Sequence, residues 1–279
     1  MRLHKTWLLM ALACYWAVPA SAHLQLVPDQ VRQQVFAGDA RNIAVIWRND
    51  GDQPVAVEIG ARIFQTSSAT AIRLADKAWK KLQMLPQQTV LESAELDFPA
   101  VKAGTLFLIQ WLDDANRVLG ITEVMVYPTN LLAELKPLSG DKPLGVVDPQ
   151  NQLKPLLKEL KLDFADLEDL GLESFSGRLA IIGPFQSRAQ MREGMAGQIQ
   201  ALAKKGVAIV WIQPPPEKRA KPLPSFYCVR ESTHAVVVLQ PELVSRLPEN
   251  PQAQLDLIYF CRLAAQPEIF HLPGLSAEP

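Results

Sequence analysis

The segment from Gly177 to Pro216, GRLAIIGPFQSRAQMREGMAGQIQALAKKGVAIVWIQPPP, constrains the fold more than any other part of the 279-residue chain. Two short, almost wholly apolar runs, Leu179 to Ile182 and Val207 to Ile212, have the composition of strands buried on both faces of a parallel sheet. Between them Met191, Met195, Ile199 and Leu202 recur at helical spacing, Ser187 and Gln190 fit a capping box, and Lys204-Lys205-Gly206 forms a basic helix end with a glycine stop. The pattern is one βαβ crossover. Parallel sheets bind ligands at the carboxyl ends of their strands. Here those ends carry Gly183, Pro184, Phe185 and Gln213, Pro214, Pro215, with no acid, base or nucleophile among them. The candidate ligand-binding residues are therefore Gly183, Phe185, Ser187 and Gln213. Amide groups at the Ser187 helix start would suit an anion, although capping accounts for Ser187 equally well.

The first 22 residues read as a leader: Arg2 and Lys5 precede an apolar stretch from Trp7 to Val18, and Ala20-Ser21-Ala22 is a small-residue cleavage site. Cleavage after Ala22 would make His23 the first residue of a secreted or periplasmic protein. Lipid attachment at Cys14 is the rival, but Ala11 stands where such signals usually place Leu. No later apolar run reaches the length of a transmembrane helix. A net charge of -1, with acids and bases mixed along the chain, lacks the footprint of a nucleic-acid binder. Two cysteines remain beyond the leader, Cys228 and Cys261. In an oxidising compartment they would either pair as a disulfide or stay as small buried apolar residues.

Residues 23–128 carry short extended runs bounded by turn residues. Asn42 to Arg48 and Pro54 to Thr66 flank Asn49-Asp50-Gly51-Asp52, and Leu106 to Leu112 and Arg117 to Tyr127 flank Asp113-Asp114-Ala115-Asn116, which predicts two hairpins. Seven or so strands in that length predict an all-β immunoglobulin-like sandwich. Trp47 and Trp111, among apolar neighbours, are expected in its core, and Trp79, followed by Lys80 and Lys81, on its surface. Residues 129–142 read as a linker. From residue 143 to 279, strands alternate with helices, which predicts a three-layer α/β domain with a mainly parallel sheet. Its elements are the strand Leu144 to Val147 ending at Asp148, a Leu-rich helix, the crossover, strands at Phe226 to Arg230 and Ala235 to Leu239, and a last helix capped by Asn250-Pro251. The acidic run Asp163, Asp166, Glu168, Asp169 and Glu173 fits a solvated surface and contains no calcium loop.

The pattern LGVVD, a Leu-rich helix, SGRLAIIG, a helix ending AKKG and VAIVWIQ resembles the class I glutamine-amidotransferase-like (flavodoxin-like) superfamily, in the degenerate form found in secreted bacterial proteins. The resemblance implies a fold of that kind over roughly residues 142–266. Catalytic members place a nucleophilic Cys between glycines on a strand-to-helix elbow, with His and Glu downstream. Cys228 departs from that pattern, being flanked by Tyr227 and Val229; if it were a nucleophile, His234 would be its base and Glu231 the orienting group. Nucleophile-elbow, phosphate-loop, dinucleotide and paired-histidine zinc motifs do not occur, and no cofactor is expected. The leading expectation is a non-catalytic binding or scaffold protein acting on other envelope proteins. The alternatives are a hydrolase or amidase using Cys228 and His234, and copper binding by a mature N-terminal His23, whose amine and imidazole chelate together.

Overall fold

The computed structural model describes residues 23–67, 69–214, 224–231 and 234–268. By contacts the chain divides into two compact units, one formed by residues up to 31 with 42–95 and 107–123, the other by 32–41, 96–106 and 124–279.

The strands of residues 24–127 build two sheets. β1 (Leu24–Val27), β3 (Gly38–Asn49) and β6 (Thr89–Phe98) form one in the order β1-β3-β6. A second sheet runs β2-β8-β7-β4-β5, from β2 (Gln33–Phe36), β4 (Val55–Thr66), β5 (Ala71–Met84), β7 (Thr105–Leu112) and β8 (Val118–Tyr127). Period-two alternation selects the buried rows: Ile43, Val45, Trp47 and Asn49 on β3, Ile59, Ala61 and Ile63 on β4, and Phe107, Ile109 and Trp111 on β7. Trp47 and Trp111 are fully buried. Trp79 is half-buried and joins them, its ring centroid 5.1 Å from that of Trp111 and 6.4 Å from that of Trp47. A bulge places it there, since Ile59 pairs with Lys80 and the next residue, Gly60, with Ala78. The surface position expected for Trp79 is thereby corrected.

Beyond these strands α1 (Leu135–Ser139) leads to a six-stranded sheet of order β10-β9-β11-β12-β14-β13. Its strands are β9 (Leu144–Val147), β10 (Phe164–Asp166), β11 (Leu179–Ile182), β12 (Ala208–Ile212), β13 (Phe226–Glu231) and β14 (His234–Leu239). The helices between and after them are α2 (Lys154–Glu159), α3 (Leu167–Leu170), α4 (Met195–Lys204) and α5 (Pro251–Ala265). Successive strand residues feed opposite faces. Val146, Ile181, Val210 and Val237 join a core with Leu257 and Cys261 of α5, whereas Val147, Ile182, Ile209 and Val238 join another with Ile199 and Leu202 of α4. The Asn250 side chain accepts the amides of Gln252 and Ala253, and Pro251 opens α5, as its sequence predicts. Among the described residues no helix is long and apolar enough to cross a membrane.

The expected architecture, an immunoglobulin-like sandwich followed by a mainly parallel three-layer domain, is not what the chain forms. Its sheets are mixed: β2 runs parallel to β8 beside antiparallel pairs, and β13 runs antiparallel to β14 at the edge of the six-stranded sheet. The Asn49 to Asp52 turn does not close a hairpin, because β3 and β4 belong to different sheets. Strand and helix do not alternate regularly either. β13 lies between β12 and β14 in sequence, and the crossover helix begins only at Met195, after a 3-10 turn at Arg188–Gln190. Ser187 makes no side-chain cap; Gln190 instead accepts the amide of Gln186 at 2.7 Å.

Candidate functional site

Strand order reverses between β9 and β11, since the chain leaves β9 for β10 on one side and returns to β11 on the other. Such a switch point opens a crevice at the carboxyl ends of the two strands. An open cleft of ≈ 310 Å³ lies there. The loop after β9 contributes Gln150 and Gln152, the loop after β11 contributes Pro184, and the segment after β14 contributes Pro241, Glu242, Val244, Ser245 and Arg246.

Asp148, directly after β9, is the acid at the carboxyl end of a strand that borders this cleft, and it is buried. Its carboxylate accepts the backbone N–H groups of Gln152 (3.1 Å), Leu153 (2.7 Å) and Lys154 (2.9 Å), so it shapes the loop and starts α2. Gln152 donates from Nε2 to Gln150 Oε1 at 2.9 Å, while its own Oε1 is shielded from solvent and has no donor. An unmet acceptor of this kind costs about 1–3 kcal/mol. Arg246 adopts a left-handed backbone with φ 56° and donates from Nε to Glu249 at 3.1 Å. Ser245 donates to the Glu242 carbonyl at 3.1 Å.

The ligand-binding candidates read from the sequence do not converge on this cleft. Gly183 is a packing residue, held at φ 101° with its amide on Val147 O at 2.9 Å; a Cβ there would collide with Ile212 O. Phe185 is fully buried in the core beneath α4. Ser187 is exposed in the 3-10 turn. Gln213 donates to the Tyr227 hydroxyl at 3.4 Å, and its amide to Leu239 O at 3.0 Å. Pro184 alone of that loop reaches the cleft. The other lining residues carry no motif; only their position at the reversal of strand order marks them.

Cys228 and His234 are kept apart by strand parity. Cys228 pairs with Val237 across the β13–β14 ladder, so these two share a face, and His234 lies three residues along β14 from Val237. An odd step reverses the face and three residues span about 10 Å. The hydrolytic pair weighed from the sequence is thus not assembled, and Glu231 stands opposite His234 in register rather than beside Cys228. Burial pushes the Cys228 thiol up, against the opposing pull of Arg230. Cys261 is fully buried, which pushes its thiol up far more, and both cysteines are free rather than joined in the disulfide considered above. His23 is exposed at the start of β1, its carbonyl accepting from Asp50 N at 3.1 Å. Among the described residues no three His, Cys, Asp or Glu gather as metal ligands. Cys14, the alternative lipidation point, lies outside the described residues.

A second cavity of ≈ 250 Å³ lies beside α3 and α4, lined by Leu167, Leu172, Met195, Glu168, Arg192 and Gln198 among others. Its neighbouring charges are engaged within the chain. Lys154 Nζ reaches Asp166 Oδ2 at 2.6 Å and Glu168 Oε2 at 2.5 Å, and Arg192 donates to the Glu168 carbonyl at 2.8 Å. Burial pulls the Lys154 ammonium down, but the two carboxylates more than offset it and leave its pKa raised.

No known family matches the chain, and no curated protein matches it. Among solved structures, the alkylpurine DNA glycosylase of Pseudomonas fluorescens bound to abasic DNA is similar over 38% of this chain and 31% of its own, at 11% identity and TM-score 0.30. A β-glucosidase from Listeria innocua in complex with gluconolactone is similar over 38% and 16%, at 13% identity and TM-score 0.29. A PapD-like domain of human CEP192 is similar over 44% and 97%, at 8% identity and TM-score 0.26. The chain spans a third or less of the length of the first two, and likenesses this distant carry no functional argument.

Proposed function

We propose that the chain is a non-catalytic binding or scaffold protein of the cell envelope, exported by a leader that ends at Ala22. The observation that supports this most is the state of Asp148. The carboxylate that closes the first strand of the parallel set is spent on three backbone amides, beside an open cleft whose lining holds no histidine or cysteine. The lining pairs no His or Cys with its one carboxylate, Glu242, and the Ser245 hydroxyl donates to a backbone carbonyl rather than to a base, which suits recognition of a partner better than nucleophilic catalysis. The separation of Cys228 from His234 favours the same reading over a hydrolase or amidase.

The test has two arms. The purified protein, offered a chromogenic ester and glutamine, is expected to give no turnover above that of the Cys228→Ser variant; a rate lost in that variant sinks the reading. In the native host, a photocrosslinker at the exposed position 246 is expected to capture envelope proteins from the extracytoplasmic fraction. A chain found only in the cytosol excludes the envelope role.

A further inference from the structure

We propose that the switch-point cleft binds a primary alkylammonium group. This inference rests on the binding reading above and names the chemistry that such a site would take. Three of its polar groups can accept a hydrogen bond from a ligand. Gln152 Oε1 has no donor. The exposed Glu242 lines the cleft with a carboxylate, and the Ser245 hydroxyl, having given its proton to the Glu242 carbonyl, keeps free lone pairs.

The charges agree with this polarity. Glu242 and Arg246 are the ionisable residues of the lining, and the Arg246 guanidinium is already matched by Glu249, to which both Nε and a terminal nitrogen donate. The unmatched charge facing the cleft is therefore negative. The amides of Gln152, Leu153 and Lys154, which would favour an anion on the β9 side of the cleft, are consumed by Asp148. An ammonium offers three donors and no acceptor, which is the complement of this set. Pro184, Pro241 and Val244 supply apolar walls along which a methylene stem can lie. For its Oε1 to meet the ligand, the half-buried Gln152 side chain would have to turn and release Gln150 Oε1, which its Nε2 now holds at 2.9 Å.

The experiment titrates the purified protein with cadaverine and, separately, with a lysine peptide blocked at both ends, following amide shifts of residues 150–152 and 241–246 by NMR. Saturable binding in the millimolar range is expected, weakened about tenfold in Glu242→Gln and strengthened several-fold in Gln152→Glu, with the fold of both variants checked by circular dichroism. Tighter binding of the peptide identifies the ligand as a lysine side chain of a partner protein, and tighter binding of cadaverine identifies it as a free amine. Shifts that do not saturate, equal affinity in folded Glu242→Gln, or acetate competing as well as the amine overturns the proposal. Amine binding accompanied by chemical conversion of the probe keeps the site and overturns the non-catalytic reading. Absence of binding without conversion overturns the site alone.

Discussion

The side-chain amide of Asn49 donates to the carbonyl of Leu85 at 3.0 Å, joining two turns that are far apart in sequence. The same nitrogen donates to Gln53 O at 2.8 Å, and the side-chain oxygen accepts the Gly51 amide at 3.0 Å. Asn49 is completely buried, so every one of these bonds replaces a lost bond to water. The residue that the sequence suggests as part of a hairpin turn is instead the post around which the chain passes from one sheet to another.

Asn49→Ala is expected to lower stability by about 2–3 kcal/mol, because it strands two carbonyls and an amide inside the unit. Asn49→Asp should be at least as damaging, since it turns a donor into an acceptor facing two carbonyl oxygens. Urea unfolding followed by tryptophan fluorescence reads both. A loss below about 0.5 kcal/mol would mean that water enters and replaces the amide.

Acid should weaken the β7–β8 hairpin through Asp113. Burial raises the Asp113 carboxyl, but the Arg117 backbone amide and guanidinium, each at 2.7 Å, outweigh it and hold the pKa below its ordinary value. A carboxyl depressed in the folded state stabilises above its unfolded pKa, near about 4, and that contribution disappears as pH falls through the folded value. Melting temperatures between pH 6 and 2 should therefore fall less steeply in Asp113→Asn than in the parent protein. Parallel curves would remove Asp113 from the acid limb.

Lys154→Met should destabilise by roughly 1–3 kcal/mol, because Asp166 and Glu168 would face each other without the ammonium between them. Their side chains keep 32% and 31% of their exposure, which places the effect below that of a fully buried pair. Combining Lys154→Met with Asp166→Asn and Glu168→Gln should recover most of the loss. Differential scanning calorimetry of the single and triple variants decides the matter, and an unrecovered loss would assign the role of Lys154 to packing.

The two thiols should react in sequence with a disulfide reagent at neutral pH. Cys228 is half-buried with a raised pKa, so it should label more slowly than a thiol in an unfolded peptide, and Cys261 should label only in denaturant. Cys228→Ser assigns the phases. Fast labelling of Cys228 would reopen the case for an activated nucleophile.

Gly183→Ala is expected to cost more than about 2 kcal/mol, combining left-handed strain with a collision against the Ile212 carbonyl, which is backbone and cannot yield cheaply. Thermal unfolding measures it. A neutral result would show that the β11 end relaxes away from β12.

Local chemistry was the legible part of this chain. The strands of the βαβ segment, the Asn250-Pro251 helix start and the burial of Trp47 and Trp111 follow from composition, spacing and capping within a few residues of each other. Pairing is legible only in part: the Asp113 to Asn116 turn joins β7 to β8 and β11 runs parallel to β12 as the local patterns predict, whereas the Asp50-Gly51 turn specifies a reversal and says nothing about which sheet receives the next strand. The start of α4 differs from its sequence pattern for a related reason: Gly194, just before its first residue, takes a left-handed conformation and breaks the helical spacing that begins at Met191. Cys228 and His234 are close in sequence, yet a single count along the ladder puts them on opposite sides of the sheet. No sequence signal marks the cleft, because Gln150 and Gln152 lie in one loop and Glu242 in another, and they belong to no motif; strand order alone brings them together.

Strand β5 contains two interruptions of its pairing with β4, one at Trp79 and one at Leu74, where Ile63 pairs with Ala75 and Phe64 with Arg73. Each inserts one residue and exchanges inside for outside, so the two cancel. Residues 80, 82 and 84 and residue 72 are in phase with one another, while 75 and 77 between them are half a period out. A deletion of Trp79 or of Leu74 would therefore remove only the extra residue of its bulge and leave every other pair with β4, and so every other residue's face, as it is. A deletion at any other position of β5 would instead turn the residues on one side of it over, so the two interruptions are the places where this strand is expected to tolerate a change of length.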